Sequence, residues 1–84
     1  MENIEIINTL FARQNELILL RTQEIECLKQ QEKAWVALSG SFPPAIGLAM
    51  SLTQIRGQAE AELVGCKRVL EQIKDMRSKM MADE

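Results

Sequence analysis

Apolar side chains recur through the first half of the chain at alternating steps of four and three residues. This spacing is the a/d pattern of a helix that packs along one partner helix. Polar residues occupy three positions of the pattern, at Gln14, Arg21 and Glu32. The pattern predicts one long amphipathic helix over 3–38. The apolar members of its seam are Ile4, Ile7, Phe11, Ile18, Ile25, Leu28 and Trp35.

The same alternation continues through the second half and predicts another helix over 44–81. Neither half shows the period of two residues that is typical of strands. Both halves therefore favour an all-α fold. The predicted seam of the second helix consists of Ala45, Leu48, Leu52, Ile55, Ala59, Glu62, Cys66, Val69, Ile73, Met76 and Met80.

The segment SGSFPP separates the two helical patterns. Gly40 suits the position after a helix C-terminus, where glycine adopts a left-handed conformation. Ser41 is a candidate N-cap for the second helix, and Pro43 and Pro44 suit its first turn. We therefore predict a turn at 39–43.

Folding the chain back around Gly40 makes facing residue numbers add up to about 80, and every a position then meets a d position. In this register Gln14 meets Cys66, and Arg21 pairs with Glu62 at the edge of the seam. The predicted fold is an antiparallel two-helix hairpin, coiled-coil-like, and we expect one domain over the full 84 residues.

Four leucines lie beside the predicted seam and widen its apolar stripe. Leu10 and Leu17 occupy g positions of the first helix, and Leu63 and Leu70 occupy e positions of the second. Burial of a leucine side chain contributes about 1.5–3 kcal/mol, so a second surface is expected to cover them. A second copy would form a dimeric four-helix bundle. The alternative cover is a groove or helix of another protein.

No charged residue occurs in 34–55, which is long enough to cross a bilayer. A single span through Pro43 and Pro44 would, however, leave backbone groups unsatisfied in lipid. We therefore interpret this segment as the bend of the hairpin with an uncharged apolar tip. Membrane contact by the tip stays open as an alternative. The tip residues predicted to bind a partner are Trp35, Leu38, Phe42, Ile46 and Met50.

Composition narrows the classes of function. The chain has no histidine, no glycine-rich phosphate loop and no cysteine pair at metal-binding spacing. We therefore expect no catalytic residues, no cofactor and no metal site. The formal net charge of −2 argues against a nucleic-acid partner. In the predicted register Cys27 and Cys66 are about 20 Å apart, too far for a disulfide.

These observations predict a non-enzymatic interaction protein: a helical adaptor, chaperone or inhibitor that self-associates and binds another protein through its tip and leucine flanks. A structural subunit of a larger helical assembly is the alternative. The N-terminus is acidic and lacks a basic signal region, and both cysteines are isolated. We therefore expect a cytoplasmic protein without a membrane partner.

Overall fold

The computed structural model describes residues 2–83 and consists of two antiparallel helices. Helix α1 is Glu2–Ser39 and helix α2 is Ala45–Ala82. The helices pack along their whole length into a rod measuring 65 × 15 × 12 Å. The predicted all-helical hairpin is confirmed, with helix ends one residue from the predicted 3–38 and 44–81.

The turn differs from the predicted capping arrangement. No glycine has a positive φ, so Gly40 does not form a left-handed cap. Instead the Phe42 amide donates to the Leu38 carbonyl at 2.8 Å, which continues the helical hydrogen bonding. The Ser41 hydroxyl donates back to the same carbonyl at 3.3 Å and does not cap α2. Pro44 is the N-cap of α2 and is itself helical in conformation.

Exposure along α1 follows the predicted seam. Ile7 and Ile25 are buried, and the other predicted seam positions are half-buried, including Gln14, Arg21 and Glu32. Every other residue of α1 from position 2 to 38 is exposed. The a/d pattern on α1 is therefore confirmed position by position.

Exposure along α2 contradicts half of the predicted seam. The column that runs from Ala45 through Ala59 and Ile73 is buried or half-buried, as expected. The second predicted column is exposed, and the column one residue further along the helix replaces it. The exposed, predicted column consists of Leu48, Ile55, Glu62, Val69 and Met76. The column that replaces it, buried or half-buried, consists of Ala49, Arg56, Leu63, Leu70 and Arg77.

Two arginines explain why the replacement column packs well. The Arg77 guanidinium carbon lies 4.1 Å from the centre of the Phe11 ring, in cation–π geometry. Arg56 forms an ion pair with Glu32. Long arginine side chains cover apolar surface with their stems while the charged end keeps its partner. The column is thus compatible with the seam although two of its members are charged.

The helices also meet in a shifted register. Ser39 and Ala45 flank the turn symmetrically about Phe42, so the hairpin pivots there and not at Gly40. Residues of α1 consequently face positions about one helical turn further along α2 than predicted. Two contacts predicted from the sequence are confirmed: Gln14 Nε2 donates to the Cys66 carbonyl at 2.8 Å, and Arg21 Nη1 lies 3.5 Å from Glu62 Oε2.

The core of this hairpin is thin. The buried side chains are small or medium-sized, and within residues 2–83 no large side chain is fully enclosed. Helical packing between only two helices leaves most of each helix surface in solvent. Among the described residues the six buried hydrophobic ones are Ile7, Ile25, Ala45, Ala49, Ala59 and Ile73.

Candidate interaction surfaces

The tip of the hairpin carries apolar side chains in solvent. Phe42 is 56% exposed at the turn, and Met50 is 64% exposed on the first turns of α2. Leu38 and Ile46 are exposed beside them. The structure thus places four of the five predicted tip residues on the surface at one end of the rod.

Trp35 differs from the other tip residues. It is half-buried and belongs to the seam of α1. Ala49, the small buried residue of α2, lies at the same level when residues are counted back from the turn. Trp35 therefore contributes to packing between the helices as well as to the base of the tip.

The four predicted leucine flanks separate into two groups. Leu10 and Leu17 are exposed on α1, as predicted. Leu63 and Leu70 are half-buried within the corrected seam of α2, so their placement as exposed flanks is wrong. The physical reason is the phase of α2, which turns these two leucines toward α1.

Arg21 shows which residues of the two helices lie on a common side. Its Nη1 is 3.2 Å from Glu24 Oε2 of α1 and 3.5 Å from Glu62 Oε2 of α2. Both glutamates therefore project to the same side of the rod. Residues that precede or follow each glutamate by seven positions lie close to the same line along their helix.

We call this side the lateral face. From the end that holds the termini to the tip, its five layers are Leu10 with Met76, Leu17 with Val69, Glu24 with Glu62, Gln31 with Ile55, and Leu38 with Leu48. All of these side chains except Gln31 and the two glutamates are apolar, and all ten are exposed. Sequence analysis missed the α2 contribution because it assigned that column to the seam.

The opposite side of the rod is held by polar contacts. Arg56 binds Glu32 across the helices and Glu60 at 2.8 Å along α2. The Thr53 hydroxyl donates to Glu32 at 2.6 Å. The hydrogen bond from Arg56, followed by that from Thr53, lowers the pKa of Glu32 below its usual value, and Glu32 raises the pKa of Arg56. This side also holds an open groove that includes Lys29.

The described residues contain few groups for chemistry. Across residues 2–83 no cluster of three or more Cys, Asp or Glu side chains has the geometry to hold a metal ion. Cys27 is exposed, Cys66 is half-buried, and both are free thiols. Neither helix, over the part of the chain that the structure covers, contains a segment both long and apolar enough to cross a membrane.

Comparison with protein-family models, with curated proteins and with solved structures finds no match to this chain. The two apolar surfaces, the tip and the lateral face, are the features of the chain that bear on its function.

Proposed function

We propose that this chain is a non-enzymatic interaction module that binds a partner protein through its apolar tip, while the exposed Leu10 and Leu17 belong to the surface by which it self-associates. Acting in this way, it would serve as an adaptor, chaperone or inhibitor. Self-association into a dimeric four-helix bundle is part of the proposal. The observation that carries it is that Phe42 and Met50, at one end of the rod, are more than half exposed.

The energetics support a partner at the tip. Aromatic and methionine side chains are enriched in the buried centres of protein interfaces. Burial of each such side chain contributes about 1.5–3 kcal/mol. Methionine is flexible and adapts to grooves of different shape. A helix or groove of a partner that covers Phe42, Ile46 and Met50 would therefore gain most of its affinity there.

Two methionines provide a matched test. Met50 at the tip and Met81 near the far end of α2 are exposed to 64% and 60%. We expect Met50→Ala and Phe42→Ala to reduce capture of partner from the native host at least about tenfold, which corresponds to about 1.4 kcal/mol. Met81→Ala should leave capture unchanged. Quantitative mass spectrometry after pull-down measures the result, and titration of the purified captured protein verifies it.

Circular dichroism separates binding from folding in this experiment. Phe42 is exposed, so Phe42→Ala should keep the helical signal. Trp35→Ala removes a seam side chain and should lower the stability as well. Unfolding by Phe42→Ala, or equal loss of capture with Met81→Ala, would remove the tip from the proposal.

A structural subunit of a larger helical assembly is the second candidate. It is favoured by the lateral face, which extends along about 42 Å of the 65 Å rod. Light scattering on dilution distinguishes the two functions. A closed oligomer of one size supports the interaction module, whereas a ladder of sizes that grows with concentration supports the structural subunit.

A further inference from the structure

The layers of the lateral face have a symmetric order. The charged layer of Glu24, Glu62 and Arg21 lies in the middle, and two layers with apolar side chains lie on either side of it. The order of polar and apolar layers is therefore nearly the same from either end of the rod. A surface of this kind is self-complementary, which is the requirement for a two-fold interface.

We propose that a second copy of this chain covers the lateral face, so that the Arg21 layers of the two copies meet at the centre of a four-helix bundle. This inference rests on the self-association included in the proposed function. In this register Leu10 and Met76 of one copy lie on Leu38 and Leu48 of the other. The layer of Leu17 and Val69 lies on the mixed layer of Gln31 and Ile55, and the charged layer lies on its counterpart.

The size of the face fits this occupant. The rod is 65 Å long and 15 Å wide. The five layers occupy only positions 10–38 of α1, about 42 Å at 1.5 Å per residue. The lateral face is therefore about 600 Å² in flat projection, and the accessible area of its projecting side chains is larger, which brings it close to the roughly 800 Å² that each partner buries in a specific interface of standard size. A second hairpin has the same length and width and covers the face from end to end.

Charge and core size both favour a copy of the same chain. With a formal net charge of −2, two copies repel each other only weakly. The hairpin buries six hydrophobic side chains, which is a small core for an independent fold. A second copy is present wherever the chain is expressed, and its packing on the lateral face buries further apolar side chains.

The charged layer determines the register between copies. A shift by one layer would place Glu24 and Glu62 against Leu17 and Val69 of the second copy. Desolvating charged side chains against apolar ones is unfavourable even though Arg21 of the same chain stays beside both carboxylates. In the proposed register the charged layer instead lies against the charged layer of the second copy, whose Arg21 is a further partner for the carboxylates. Polar layers in helical bundles commonly fix the register in which the helices pack.

Leu17 and Leu19 provide the decisive comparison. They are the same residue type on the same helix, both exposed, and about 200° apart around it, so that only Leu17 lies on the lateral face. Sedimentation of the full chain over a concentration series should show a dimer. Leu17→Gln should raise the dimer dissociation constant at least about tenfold, and Leu19→Gln should change it less than about twofold.

A variant on the other helix tests the same face in case the first variant has a folding defect. If Leu17→Gln lowers the helical signal, Val69→Gln tests the same face from α2 and should also raise the dissociation constant about tenfold. A monomer at every concentration overturns both this inference and the proposed self-association. An equal effect of Leu19→Gln, or unchanged dimers in Leu17→Gln and Val69→Gln, overturns the face while self-association remains.

Partner binding at the tip is tested independently of dimerisation through the lateral face. Phe42→Ala should leave the dimer dissociation constant unchanged because Phe42 lies at the turn and outside the lateral face. A dimer with no partner at the tip would retain the inference and reject tip binding. Weakening of the dimer by Phe42→Ala as strong as that by Leu17→Gln would instead place self-association at the tip and overturn the lateral face.

Discussion

Glu32 is a polar residue that the seam accepts because two donors from α2 reach it. Arg56 and Thr53 both hydrogen-bond its carboxylate, and it lies at a seam position where an apolar residue is the norm. These hydrogen bonds require the carboxylate form. Folding therefore favours the deprotonated side chain, which is why the pKa of Glu32 is lowered.

The contribution of Glu32 to stability should depend on pH. Because the pKa in the folded state is below the usual 4.5, the contribution is complete above that value and is lost as the pH falls through the folded-state pKa. Glu32→Gln should therefore lower the unfolding temperature at pH 7, and the difference from wild type should shrink at pH 3. Thermal unfolding followed by circular dichroism measures this difference.

Glu16→Gln is the control for the pH experiment, because Glu16 is an exposed glutamate of the same helix. Its difference from wild type should be small at both pH values. A difference for Glu32→Gln that stays constant between pH 7 and pH 3 would contradict an ionic role for Glu32.

At the scale of the element, α2 contains glycines that its packing within the hairpin does not require. A Cβ atom added to Gly57 would have no heavy atom within 4 Å apart from its local helix neighbours, and the same holds for Gly47. Glycine inside a helix is less favourable than alanine by about 1 kcal/mol, because it loses more backbone entropy on folding. Replacing glycine by alanine at these positions should therefore stabilise the hairpin.

Gly57→Ala should raise the free energy of unfolding by about 1 kcal/mol in urea titrations at fixed protein concentration. Gly47→Ala is the comparison, since Gly47 lies in the first turn of α2 and its replacement should have a smaller effect. A destabilising Gly57→Ala would contradict an open surface. It would mean that another helix packs closely against the small residues Gly57, Ala61 and Gly65.

At the scale of the whole molecule, Arg21 links the two helices and would lie in the central layer of the proposed dimer. Within one hairpin it neutralises one of the two glutamates that it contacts. In the proposed dimer, four glutamates and two arginines share one layer. Removal of the arginines would leave the four carboxylates facing one another in a partly desolvated interface.

Arg21→Gln should therefore weaken the dimer at low salt, and added salt should restore part of the affinity by screening the repulsion. Arg68→Gln, at an exposed position of α2, is the matched control and should change little. Sedimentation at low and high salt measures both variants. Weakening of equal size at every salt concentration would indicate a packing role for Arg21 in place of an electrostatic one.

The pattern of residues along the chain was sufficient to predict two helices, their ends to within one residue, and the whole seam of α1. It was also sufficient to predict the contact between Arg21 and Glu62. The helices and the seam of α1 depend on local propensity and on one periodic stripe, which a single helix displays in its own sequence. The contact between Arg21 and Glu62 also depends on the antiparallel pairing of the two helices. The exposed tip at Phe42 and Met50 follows from the same uncharged stretch at the turn.

The phase of α2 was decided only when the two helices paired. The columns that begin at Leu48 and at Ala49 both alternate correctly with the column of Ala45, so periodicity within α2 cannot choose between them. The choice depends on the turn that pivots at Phe42 and on two contacts between the helices. These are the cation–π contact of Arg77 with Phe11 and the ion pair of Arg56 with Glu32. The lateral face exists because this pairing leaves the more apolar column of α2 in solvent.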